Sequence, residues 1–143
     1  MMEIAVVFLC AGLSSRFGGM KQFAKVGPDG ENLIEYSLNQ ALQAGFSKIV
    51  FVVGEKTEKE FKEKFGKKYK EVPVLYAFQE FDKEKRDRPW GTVDALCALN
   101  GVIDCPFVAC NGDDIYGTES FKKLVKHLKN EEFGGTVGYK LME

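Results

Sequence analysis

The sequence predicts an α/β fold: a mostly parallel sheet covered on both faces, in three layers, α/β/α. Three observations carry this. Short apolar, β-branched runs alternate with amphipathic helical runs at a spacing that suits right-handed βαβ crossovers. The first apolar run breaks directly into small residues and glycines. Polar, chemistry-bearing segments follow the later apolar runs, at what would be the same edge of such a sheet.

The elements follow in order. Ile4–Leu9 reads as a buried strand. Leu33–Ala44 carries Leu33, Ile34, Leu38, Ala41 and Leu42 on a helical stripe, and Gly45 supplies the stop. Lys48–Val53 is a second buried strand. Thr57–Phe65 is a helix with Phe61 and Phe65 at i, i+4, ended by Gly66. Pro73–Phe78 is the third strand, and Thr92–Leu99 a helix turning Ala95, Leu96 and Leu99 inward. Pro106–Cys110 is the fourth strand. Ser120–Lys129 is a helix with Phe121, Leu124, Val125 and Leu128 inward, and Thr136–Leu141 starts a fifth strand. Gly27-Pro28-Asp29-Gly30 is a turn, and Glu80–Arg88, which lacks periodicity, is an exposed loop.

A chain of 143 residues has room for one domain, 1–143, with a real core. Hydrophobic residues make up 45% and charged residues 29%, and the formal net charge is −1, so no global field recruits nucleic acid or an anionic membrane. The Lys- and Glu-rich stretch Glu55–Glu71 has mixed sign and reads as the wet face of an amphipathic helix. No apolar run approaches a membrane span, and no basic region precedes the first strand as in a leader, which predicts a cytoplasmic protein. The four cysteines, Cys10, Cys97, Cys105 and Cys110, lack C-x-x-C spacing and lie far from the single histidine, His127. They read as free thiols in a reducing compartment rather than as a zinc site or a nucleophile.

The run from Phe8 to Gln22 carries the chemistry. Small side chains at Ala11, Gly12, Ser14 and Ser15 let backbone N–H groups approach a ligand, while Arg16 and Lys21 supply a planar fork and a point charge for phosphate oxygens. It is neither a Walker A loop nor a dinucleotide fingerprint, and a tight turn with two surface cations has the same spacing. After the fourth strand, Asn111-Gly112-Asp113-Asp114-Ile115-Tyr116-Gly117 offers carboxylates of the hard-oxygen kind that Mg2+ prefers; Asp114 suits a helix-capping turn equally well. Gly91 permits close approach, Thr92 can cap a helix or bond a ligand, Trp90 packs or stacks, and the Gln79 amide can pair with a pyrimidine edge.

The opening run resembles the signature of the sugar-1-phosphate nucleotidylyltransferases, Leu-Ala-Ala-Gly-x-Gly-Ser-Arg-Phe/Met-Gly followed by a Lys. Leu9, Ala11, Gly12, Ser15, Arg16, Gly18 and Lys21 match it, with Cys10 and Ser14 as small-for-small replacements. Gly91-Thr92-Val93-Asp94-Ala95-Leu96 is similar to the family's Gly-Thr-Ala-x-Ala-Leu segment, and Asp113 takes the place of its metal-holding Asp. The resemblance covers nearly the whole chain. It implies a Rossmann-like, nucleotide-diphospho-sugar transferase fold, and nucleotide contacts at Leu9, Ala11, Gly12, Ser15, Gln79, Gly91 and Thr92. It also implies catalytic roles for Arg16, Lys21 and Asp113, with Mg2+ on Asp113 and secondarily Asp114. Implied substrates are a nucleoside triphosphate, with Gln79 tilting toward UTP or dTTP, and a sugar-1-phosphate.

The reaction so implied is attack of a sugar-1-phosphate oxygen on the α-phosphorus with loss of pyrophosphate. Family members run to roughly twice this length, since their fold needs more sheet. The expectation is therefore an N-terminal, truncated half with weak or no turnover unless completed. The alternatives are a non-catalytic nucleotide-binding or interaction module, and transfer to a non-sugar acceptor. Oligomeric state is unreadable, although an unfinished sheet leaves an edge open to pairing.

Overall fold

The structure, a computed structural model, describes residues 2–12 and 19–140. Its center is β1 (Ala5–Leu9), flanked in register by two parallel neighbours. On one side lies β2 (Lys48–Val53), then β4 (Val72–Phe78), then a two-residue β3 (Lys68–Tyr69) at the margin; on the other lies β5 (Phe107–Asn111). The order is β3-β4-β2-β1-β5, and only the β3–β4 pairing is antiparallel. A mostly parallel sheet is thus what the chain makes.

Both faces are covered, which is why β1 and β2 read as continuous apolar runs. One face carries α1 (Leu33–Ala44), α2 (Glu58–Phe65) and α4 (Thr118–Asn130), whose Ile34, Leu38, Phe61, Phe65, Phe121 and Val125 pack with Val6, Phe8, Ile49 and Phe51. The other carries α3 (Thr92–Cys97), whose Ala95, with Leu99 just beyond, meets Ala5, Val7, Val50, Val52 and Ala77. Phe51 is the hub: its ring centroid lies 4.9 Å from those of Phe61 and Phe65 and 6.1 Å from that of Phe8. Among the described residues no helix is long and apolar enough to cross a membrane.

Local signals set the boundaries. Asn32 and Glu35 close a reciprocal capping box at the start of α1, and Gly45, at φ 101°, ends it in the left-handed conformation. Three sequence expectations are corrected. Thr92–Leu99 is helical only to Cys97, because i→i+3 bonds from Ala98 to Ala95 and from Leu99 to Leu96 tighten the chain toward Gly101. Thr136–Leu141 makes no strand over its described part, residues 136–140. Gly134, Gly135 and Gly138 weaken any strand there, and side-chain bonds tie the segment to α4 instead. His127 Nε2 donates to Phe133 O at 2.8 Å, and the Tyr139 hydroxyl lies 2.9 Å from Ser120 Oγ. The fifth strand of the sheet is β3: Lys68 and Tyr69 fall in the stretch Glu55–Glu71 that reads as one amphipathic helix, but α2 stops at Phe65 and the two residues pair with Val72 and Pro73 instead.

Candidate active site

β1 leads to β2 on one side, while β5 arrives on its other side, so strand order reverses at the β1–β5 boundary. In parallel sheets the crevice beyond the carboxyl ends at such a boundary is where ligands bind. Leu9 stands beside Asn111 in the register, and Gly112 N–H donates to Leu9 O at 3.1 Å, holding the two exits together. Gly112 is required by that closeness: a Cβ there would lie 2.5 Å from Cys10 Sγ. Asp113 is delivered at this point.

Lys21 reaches the same place from a single 3-10 turn, Lys21–Phe23. Phe23 anchors that turn, its ring 4.9 Å from Phe61, and Gln22 is buried, so Lys21 is turned outward. Its Nζ lies 3.6 Å from Asp113 Oδ2, with the two side chains 43% and 40% exposed. An ion pair this wet contributes about 0–1 kcal/mol, too little to be a staple and weak enough to open for a ligand. Two residues chosen from separate motifs therefore meet.

Asp114 is engaged differently. Its Oδ2 accepts from Asn111 Nδ2 at 3.1 Å and from the Tyr116 hydroxyl at 3.4 Å, and its backbone carbonyl accepts from Ser37 Oγ at 3.0 Å. It ties the turn to α1. Burial pushes the Tyr116 hydroxyl pKa up, so this donor stays protonated at neutral pH. For a divalent ion, Asp113 offers an accessible hard oxygen, and Gln22 Oε1, buried beside Gly112, has no hydrogen-bond partner among the described residues. Among the described residues no three His, Cys, Asp or Glu side chains gather as a cage. That donor set fits Mg2+, which commonly takes one or two carboxylates and completes its shell with water and substrate phosphates.

Around the corner from this pair opens a cleft of about 1220 Å³. Ala11 and Gly12 leave β1 along one wall, Gly54 and Glu55 leave β2, and Gln79 leaves β4. Gln79 is only 6% exposed. The far wall is the loop ending at Trp90, where the Arg86 guanidinium lies 3.7 Å from the centroid of the Trp90 ring. Lys83 pairs with Glu55 across the mouth, a contact that lowers the Glu55 pKa.

The expected residues are therefore distributed as follows. Lys21 and Asp113 meet; Ala11, Gly12 and Gln79 share the cleft; Leu9 ends β1 between the two. Gly91 and Thr92 lie exposed just past Trp90. Gly91, not Thr92, is the N-cap of α3, and no side chain caps it, so the capping role expected of Thr92 is not made. Ser15 and Arg16 lie outside the described residues. Cys10 is fully buried, and burial raises its thiol pKa well above the ordinary value, with Cys110 and Asp113 adding to the shift; it is an inert packing group rather than a nucleophile. Sequence reasoning missed Asp94, whose carboxylate binds the Gln79 amide at 2.8 Å, and the Arg86–Trp90 stack. Neither has a spacing signal, because both are tertiary contacts.

The fold is shared with solved proteins. A candidate glucose-1-phosphate thymidylyltransferase from Bacillus anthracis, in complex with a sucrose, superposes with a TM-score of 0.71 at 17% identity, over 90% of this chain and 51% of that one. A UDP-glucose pyrophosphorylase complexed with UDP-glucose gives 0.66 at 17%, over 91% and 54%. Rv0371c from Mycobacterium tuberculosis, in complex with manganese, gives 0.59 at 16%, over 88% and 59%. At such identities the likeness is one of fold, and the chain spans little more than half the length of these structures. No curated protein matches the chain. The family model for nucleotidyl transferase matches residues 15–143, and on that match the chain belongs to the nucleotidyl transferase family.

Proposed function

We propose that this chain is the nucleotide-handling part of a Mg2+-dependent nucleotidyltransferase that joins a nucleoside triphosphate, UTP or dTTP, to a sugar-1-phosphate and releases pyrophosphate. The observation that carries the reading is the approach of Lys21 to Asp113, 3.6 Å apart at the strand-order reversal. An ammonium and a carboxylate so placed, both wet, suit a site where phosphates and a divalent ion enter together. The manganese complex of one structural neighbour, and the UDP-glucose bound to another, favour a divalent metal and a nucleotide-sugar product. Four free cysteines suit a reducing, cytoplasmic setting.

The acceptor phosphate is already ionised at neutral pH, so its oxygen attacks the α-phosphorus in line without a general base, and pyrophosphate leaves. The residues position and neutralise. Lys21 holds phosphate oxygens near the reacting center, and Arg16 holds the outer phosphates and the leaving pyrophosphate. Gly12 and Ala11 admit the phosphate chain close to the backbone, and Gln79 faces the base. A divalent ion held by Asp113, with Asp114 as second carboxylate, would offset charge on the phosphates.

The test is a coupled pyrophosphate-release assay with UTP or dTTP, Mg2+ and a panel of sugar-1-phosphates. Release should require both acceptor and metal, and Lys21→Ala or Asp113→Ala should lower turnover by about 10²–10³. Turnover unchanged from wild type in both variants would remove these roles. A second reading, nucleotide binding without turnover, is favoured by the open face of β5, where Phe107, Ala109 and Asn111 are exposed beside the site. Triphosphate binding with no pyrophosphate released from it in the presence of any acceptor would establish that reading instead.

A further inference from the structure

We infer that Asp94 is a positioning residue that fixes the Gln79 amide with its oxygen toward the cleft, so that the site selects bases carrying a ring N–H. This rests on the nucleotide-binding reading above. Gln79 Nε2 lies 2.8 Å from Asp94 Oδ2 and 3.2 Å from Trp90 O. Both partners are acceptors only, so each must receive one of the two amide hydrogens, and the amide cannot sit flipped. The backbone assists, since Gln79 N–H donates to Val53 O at 2.9 Å and pins the residue at the end of β4.

With both N–H groups engaged, Oε1 is the polar atom left to Gln79, and it takes no hydrogen bond from the described residues. The side chain lines the cleft while being almost fully buried. An isolated Gln would offer a ligand either a donor or an acceptor. Held by Asp94 it offers only an acceptor. Uracil and thymine meet that demand with N3–H, whereas cytosine presents an N3 lone pair and would leave two acceptors facing each other. Carboxylate acceptance makes the Nε2 bond charge-assisted, and hence hard to give up for a mismatched base.

Calorimetry with UTP, CTP and N3-methyl-UTP, each with Mg2+, tests this. The wild-type chain should bind UTP about tenfold or more tighter than CTP and N3-methyl-UTP, the scale of one hydrogen bond lost in a buried site. Asp94→Ala should compress the UTP/CTP ratio toward one. Asp94→Asn, whose Oδ1 can still accept from Nε2, should restore it. A merely structural Asp94 would lower all affinities together and leave the ratio alone. CTP or N3-methyl-UTP bound as tightly as UTP by the wild type overturns the acceptor-only assignment while leaving nucleotide binding intact. An unchanged ratio in Asp94→Ala overturns the positioning role. Failure of every triphosphate to bind would instead remove the nucleotide-binding reading itself.

Discussion

The two flanks of β1 are built to different standards. Toward β2 the sheet is sealed on both faces, and Ile49 through Val53 have no exposed surface at all. Toward β5 only one face is sealed: Val108 and Cys110 are buried, while Phe107 between β1 and solvent is 38% exposed. The cleft with its locked Gln79 sits on the sealed flank, and the Lys21–Asp113 pair on the open one. On the proposed reading, the contrast separates two kinds of recognition. Fixed, desolvated groups can discriminate between bases, whereas wet charges attract phosphates and metal but are weakened by water and salt.

The sharpest way to break this contrast is to truncate one ring on each flank. Phe51→Ala removes the hub of the aromatic cluster and should cost about 3–5 kcal/mol, whereas Phe107→Ala should cost less than about 1 kcal/mol, both read by denaturant unfolding. Equal losses would mean that the β5 flank is as tightly built as the other. On the open flank, Lys21→Ala should leave unfolding free energy within about 0.5 kcal/mol of wild type, as expected for an exposed pair. A large stability loss there would turn the pair into a structural bridge.

Glycine substitutions sharpen the comparison at the level of single contacts. Gly112→Ala forces a Cβ to within 2.5 Å of Cys10 Sγ, and should destabilise by about 1–3 kcal/mol. Adding Cys10→Ala should recover part of that loss, and Gly12→Ala, whose Cβ meets nothing within 4 Å among the described residues, should be nearly silent in the same unfolding assay.

A further effect concerns pH. Burial pushes the Tyr76 hydroxyl from 10.0 up to about 12, and it donates to Gly66 O at 2.7 Å. A folded-state pKa raised above the unfolded one means that the unfolded chain loses this proton first. The contribution is thus complete below pH 10 and disappears as pH rises toward 12. Tyr76→Phe should flatten the fall in stability across that window; an unaltered slope would deny Tyr76 the role.

How much of this was legible in the sequence follows from where each signal is encoded. β2 and α1 have the predicted limits because burial on both faces, a helical stripe and Gly45 are local properties. β3 was illegible: its turn puts Lys70 and Glu71 at φ 47° and 67°, a conformation that sequence reading expects of Gly or Asn. Thr136–Leu141 misled because β-branched and aromatic residues suggested a strand, although glycines and contacts to α4 decide otherwise. Lys21 and Asp113 could each be singled out from a motif, but their meeting depends on the parallel register of Leu9 with Asn111. Asp94 gave no sign, since a carboxylate in the first turn of a helix already has a sufficient local reason to be there.

The most direct measurement is calorimetric titration of UTP with Mg2+ into the wild-type chain and Lys21→Ala. A crevice at the β1–β5 boundary that cradles phosphates should yield measurable binding, weakened about tenfold or more by loss of the ammonium. Identical affinity in the two proteins would contradict a phosphate site at Lys21.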